Sequence, residues 1–104
     1  MAETLLTDAN SGATVRVAVG DVVLVRLPEN PTTGHRWQAS AAPGLVLAGD
    51  EFEASSRVPG AGGVRTLRFS AQAAGVFHVR AALRRPWEAG AAPKSEFSVA
   101  VAVS

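Results

Sequence analysis

Cysteine is absent from the 104 residues. Its absence excludes a disulfide framework, a thiolate zinc site and a cysteine nucleophile, and it leaves the redox compartment open. An excess of one charge is missing too. Ten Lys and Arg against nine Asp and Glu give a formal net charge of +1. That is far from the basic stripe phosphate-driven binding requires, so no nucleic-acid partner is expected. The first twenty residues hold acids at Glu3 and Asp8 and no unbroken apolar run, so neither a secretory leader nor a membrane anchor is read there, and no membrane partner is expected. The reading is cytoplasmic if Met1 is the natural start, and periplasmic or secreted if a signal peptide has been removed. Internal repeats and low-complexity linkers are also lacking, and the length suits one domain spanning residues 1–104. With 47% apolar and 18% charged residues, that domain can bury a core.

A helical period is missing as well. Six prolines and ten glycines punctuate the chain at short intervals, and no stretch between them keeps a 3.6-residue repeat for three turns. The alanines at 71–74 and 89–92 favour helix by propensity, but each run is under two turns and abuts Gly or Pro, so both read as strand ends and loop. The pattern that is present has period two. Val15, Val17 and Val19 alternate with Arg16 and Ala18, and Leu67 and Phe69 with Thr66 and Arg68. Phe77, Val79, Ala81 and Leu83 oppose His78 and Arg80, and Phe97, Val99, Val101 and Val103 carry the alternation to the C-terminus. Val22 to Leu27 is nearly continuous in apolar character and reads as a central strand. Strands are expected near 13–19, 22–27, 35–40, 45–54, 64–71, 76–83 and 94–103, with a short edge strand at 3–7. The fold class is all-β, an immunoglobulin-like antiparallel β-sandwich of seven to eight strands in which Trp37 is a core residue.

Catalytic signatures are lacking. His35 and His78 have no metal-ligand spacing, and no Gly-x-Ser-x-Gly elbow occurs. Gly60-Ala61-Gly62 lacks the third glycine of a dinucleotide fingerprint, and no Gly-Lys-Ser/Thr follows it. Asp50, Glu51 and Glu53 fall in one strand and read as a solvated edge rather than an acid–base pair. No enzyme activity, cofactor or metal is expected.

Three connections carry more constraint than a turn needs: Asn30-Pro31-Thr32-Thr33-Gly34, Gly60-Ala61-Gly62-Gly63, and Arg85-Pro86-Trp87. Each is separated from the next by two strands, so an up-and-down alternation brings all three out at one end of the sandwich. Each also has an ordinary explanation. Asn-Pro with a following Gly makes a sound turn without a function, because Pro31 fixes φ and Gly34 accepts a positive one. Trp87 could equally fold back onto the sheet.

Together, in this order and spacing, the three segments resemble the signature motifs of the chagasin family, inhibitors of papain-like cysteine proteases. The similarity extends from Asn10-Ser11-Gly12-Ala13-Thr14 and Val17-Ala18-Val19-Gly20 through Ala73-Ala74-Gly75 to the last strand. The resemblance implies a cysteine-less sandwich, monomeric when free, whose three loops occlude a protease cleft reversibly and competitively. It implies that Thr32 faces the catalytic centre and that Gly60 to Gly63 lie along the non-primed subsites. Val58 and Pro59, just ahead of those glycines, would offer an apolar group to the S2 pocket, and Arg85, Pro86 and Trp87 would cover the primed side. One position departs from the family pattern: the residue after Gly34 is commonly aromatic, and here it is His35. The alternative is a generic immunoglobulin-like binding or adhesion module with no protease target.

Overall fold

Alternation of apolar and polar residues becomes strands because one face of each segment is buried while the other meets water. A computed structural model describes residues 2–41, 43–55, 62–88, 90 and 92–104. The described residues form eight strands: β1 Glu3–Thr7, β2 Thr14–Val17, β3 Val22–Glu29, β4 Arg36–Ala41, β5 Leu45–Ala54, β6 Gly63–Ala71, β7 Gly75–Arg84 and β8 Ser95–Val103. They make two four-stranded sheets, in the orders β1-β3-β6-β5 and β2-β8-β7-β4. The all-β sandwich expected from the sequence is what forms.

The inner strands of both sheets pair antiparallel. At the edges, β1 pairs parallel to β3 and β2 parallel to β8. The reason is topological: after β1 the chain crosses to the other sheet to lay down β2 before returning for β3, so neither edge is closed by a hairpin. Strand ends also differ from expectation near residue 19. β2 stops at Val17 because the carboxylate of Asp21 accepts the Ala18 amide at 2.9 Å and Gly20 takes a φ of +94°, turning the chain away. β3 instead runs on through Pro28 to Glu29. Pro28 lies two residues past Arg26, the last residue that β1 pairs, where a missing amide hydrogen is tolerated.

The core is the sum of the inward faces. Val23, Val25 and Leu27 of β3 and Leu67, Phe69 and Ala71 of β6 face Val79, Ala81 and Leu83 of β7 and Phe97, Val99, Val101 and Val103 of β8. Full burial of each larger side chain stabilises by about 1.5–3 kcal/mol. Trp37 belongs to this core at 5% exposure, and its indole Nε1 donates to the Pro28 carbonyl at 2.8 Å, so the ring's one polar atom is satisfied. β5 is an edge strand with Asp50, Glu51 and Glu53 exposed, and its register shifts between Leu47 and Gly49. His78 is an exposed sheet residue.

Candidate functional site

The first loop follows directly from the end of β3. Asn30 directs its Oδ1 forward to accept the Thr32 amide at 3.1 Å and the Thr32 hydroxyl at 2.6 Å. Its carbonyl accepts the Thr33 hydroxyl at 2.8 Å and the Thr33 amide at 3.2 Å. These bonds close the short 3-10 turn Pro31–Thr33, an element that propensity does not announce. His35 Nδ1 stands 3.0 Å from Thr33 Oγ1, whose hydroxyl bonds the Asn30 carbonyl; the tautomer with hydrogen on Nδ1 completes this contact. His35 thus closes the loop with a polar contact at the position where an aromatic ring is common. Gly34 sits between at a φ of +79°, a region unfavourable for other residues.

The third loop docks on the first. Arg85 Nε donates to the Thr33 carbonyl at 2.9 Å, while its Nη1 meets Glu88 Oε1 at 3.0 Å. The Trp87 ring lies against Gly34 so closely that a Cβ there would collide with its Cη2 carbon. Trp87 is nevertheless 69% exposed, so it does not fold back into the core. It rests on the first loop and presents most of its surface outward.

The second loop adjoins the other flank. A Cβ on Gly62 would come within 3.3 Å of the Glu29 carbonyl and 3.7 Å of Asn30 Cβ. The Ser55 amide donates to the Gly62 carbonyl at 3.0 Å, joining the two stems. Gly63 is buried, and a Cβ on it would strike the Glu53 carbonyl. Val58, Pro59, Gly60 and Ala61 lie outside the described residues. Of the anticipated positions, Asn30, Pro31, Thr32, Thr33, Gly34, Gly62, Gly63, Arg85, Pro86 and Trp87 therefore belong to one end of the sandwich. The first loop lies in the middle.

Beneath that end is a feature the sequence reading did not single out. Glu29 and Arg65 are buried, at 4% and 7% exposure. Arg65 donates from Nε to Glu29 Oε1 and from Nη2 to Glu29 Oε2, both at 2.8 Å, and from Nη1 to Asp50 Oδ1 at 2.6 Å. Its guanidinium carbon stands 5.6 Å from the centre of the Phe52 ring. Hydrogen bonds from Glu29 first, outweighing the cost of burial, hold the Arg65 guanidinium above the ordinary arginine range. Glu29 Oε1 also accepts the Trp37 amide at 2.8 Å. A signal for this pair was present. Glu29 continues the inward parity of Val23, Val25 and Leu27, and Arg65 that of Leu67 and Phe69.

The cavity between His35, Arg85 and Lys94 measures about 20 Å³, room for about one water. Among the described residues, no three His, Asp or Glu side chains come together to hold a metal. Among the described residues, Thr32, Pro86 and Trp87 stand exposed together at this end, with Gly62 and Gly63 on the other flank of the first loop, an arrangement suited to entering another molecule's groove.

Known proteins place this architecture. Residues 16–101 match the family model described as Chagasin family peptidase inhibitor I42. The chain is 34% identical over 101 residues to Chagasin of Trypanosoma cruzi, covering 90% of this chain and 92% of that protein. The crystal structure of the cysteine protease inhibitor EhICP2 from Entamoeba histolytica superposes with a TM-score of 0.91 at 25% identity, over 100% of this chain and 97% of that one. PbICP-C, solved in complex with falcipain-2, shares the fold at a TM-score of 0.61 and 13% identity, with 97% of this chain and 98% of that one covered. The family consists of peptidase inhibitors rather than enzymes, and its match over most of the chain sets aside the reading as a generic adhesion module. This chain belongs to the chagasin family of peptidase inhibitors.

Proposed function

We propose that this protein is a reversible, competitive inhibitor of papain-like cysteine proteases, monomeric when free and without a nucleic-acid or membrane partner. The observation that carries this reading is the joining of the loops: the Arg85 bond to the Thr33 carbonyl and the seating of Trp87 on Gly34 make two sequence-distant segments one surface. The EhICP2 and Chagasin relatives support a cysteine-protease target.

The central loop suits an active-site cleft. Thr32 is exposed at this end of the sandwich, and its hydroxyl hydrogen is engaged by Asn30, so its lone pairs are directed to accept from an incoming donor such as a protease imidazolium or amide. Trp87 supplies a rigid aromatic surface and Arg85 a planar cation, both types that dominate interface energies. Gly62 and Gly63, which leave little or no room for a Cβ, suit a close main-chain approach on the non-primed side; the sequence alone assigns Gly60 and Ala61 to that side and offers Val58 and Pro59 as apolar groups for S2. Among the described residues of this end, no side chain would form a bond to the protease thiol, which favours occlusion. The first and third loops are tied to one another before binding, so little ordering entropy of these two opposes association.

The test is residual papain activity after mixing with the purified protein, followed by dilution of the complex. Activity that is lost on mixing and returns on dilution, with trypsin unaffected at the same concentration, is the expected result. Permanent loss, or equal potency on trypsin, contradicts the reading.

A further inference from the structure

A buried ion pair in a small sandwich requires a reason, because replacing one with apolar side chains is often neutral or stabilising. The Glu29–Arg65 pair sits where all the stems of the first two loops meet. Glu29 is the last residue of β3, directly before Asn30, and its Oε1 accepts the amide of Trp37, two residues beyond His35. The carboxylate therefore spans the entry and exit of the first loop. It also joins the two sheets, because β3 and β4 belong to different ones and β4 is an edge strand whose outward amide would otherwise lack this acceptor. Arg65 is two residues past Gly63, on the stem leaving the second loop, and Asp50 and Phe52 are on the stem entering it. One guanidinium thus holds the base of the first loop and both stems of the second in fixed relation.

We propose that Glu29 and Arg65, with Asp50, are positioning residues that set the first loop against the stems of the second in the relation the protease cleft receives, a role that rests on the inhibitory reading above. None of the three belongs to the loops that would touch the protease. Their effect on inhibition runs through the fraction of molecules whose loops are already arranged for binding, since apparent affinity falls in proportion to that fraction.

The decisive variant combines Glu29→Gln with Arg65→Met. Glutamine keeps an acceptor for the Trp37 amide, and methionine fills the space of the arginine stem without a charge. We expect this protein to melt within a few degrees of wild type, to raise the inhibition constant for papain at least tenfold, and to do so mainly by slowing association. Backbone amides of residues 30–37 should exchange hydrogen at least tenfold faster, while those of β7 and β8 keep wild-type protection. A folded double variant with wild-type inhibition and wild-type exchange in 30–37 overturns the proposal. Should the double variant not fold, Arg65→Lys retains the charge and loses the two-pronged contact. A raised inhibition constant at an unchanged melting temperature then supports the proposal, and wild-type potency refutes it. If wild type itself does not inhibit papain, the inhibitory reading fails, and the exchange of residues 30–37 decides the positioning role separately.

Discussion

The Thr32 hydroxyl gives its hydrogen to Asn30 Oδ1, and this bond makes Thr32 a sensitive position in two ways at once. Thr32→Ala removes one hydrogen bond within the loop and one acceptor from its exposed surface, and should weaken protease binding by roughly 1 kcal/mol. Thr32→Asp places a carboxylate against the Asn30 oxygen and a negative charge toward the catalytic thiolate, so a loss on the order of 2–5 kcal/mol is expected. Inhibition constants for the two variants, with circular dichroism to establish folding, check the order. The two tryptophans separate as sharply. Trp37→Ala empties a core site and should cost about 3–5 kcal/mol of stability. Trp87→Ala should leave the melting temperature nearly unchanged and weaken binding by about 2 kcal/mol or more. Thermal melts in which Trp87→Ala is the less stable variant would reverse these assignments. Trp37 was legible as a core residue because it opens a strand after a turn. The burial of Glu29 and Arg65 was not read, because charged residues in an alternating pattern are taken as outward. Their inward position depends on register with a distant strand, Leu27 opposite Arg65 and Glu29 opposite Gly63.

At the level of loops and strands, the first loop is held by side chains rather than by a long helix or a hairpin ladder. Gly34 is its hinge point, with a positive φ and no room for a Cβ beneath Trp87. Gly34→Ala should therefore strain the turn and displace the indole, giving a larger loss of inhibition than of melting temperature. Equal potency in the alanine variant would show that the seat of Trp87 is unimportant. A second expectation concerns acid. Asp21 accepts the amides of Ala18 and Ala2, and these bonds, that to Ala18 first, hold its carboxyl below the usual 3.8. A carboxyl depressed in the folded state stabilises fully above its unfolded value, and the contribution is lost as pH falls through the lower folded value. Asp21→Asn should melt below wild type near neutral pH, and the gap should close as pH drops below 3.8. A gap that stays constant through that range would remove Asp21 as the titrating group. The strands themselves were legible to within about two residues at most ends, because period-two alternation reports directly on a half-buried sheet. The parallel edges were not, since strand direction depends on which sheet the next strand joins, and no local pattern encodes that choice.

For the molecule as a whole, the eight strands of the described residues bring the first loop, the third loop and the stems of the second to one end. The meeting of the first and third loops beside the Gly62–Gly63 stem was readable from strand parity: each loop is two strands from the next. The polar ties between them, Arg85 to Thr33 above and Arg65 to Glu29 and Asp50 below, needed the folded molecule, because they join residues 52, 36 and 15 positions apart. An end built in this way should act as a single body that either fits a cleft or does not. The most direct measurement is the binding of this protein to two forms of papain, one with an open cleft and one whose cleft is filled by a peptide covalently attached to the catalytic thiol. Tight binding to the open form and none to the filled form is the predicted result. Equal binding to both would place the contact elsewhere on the protease and contradict occlusion of the cleft by the three loops.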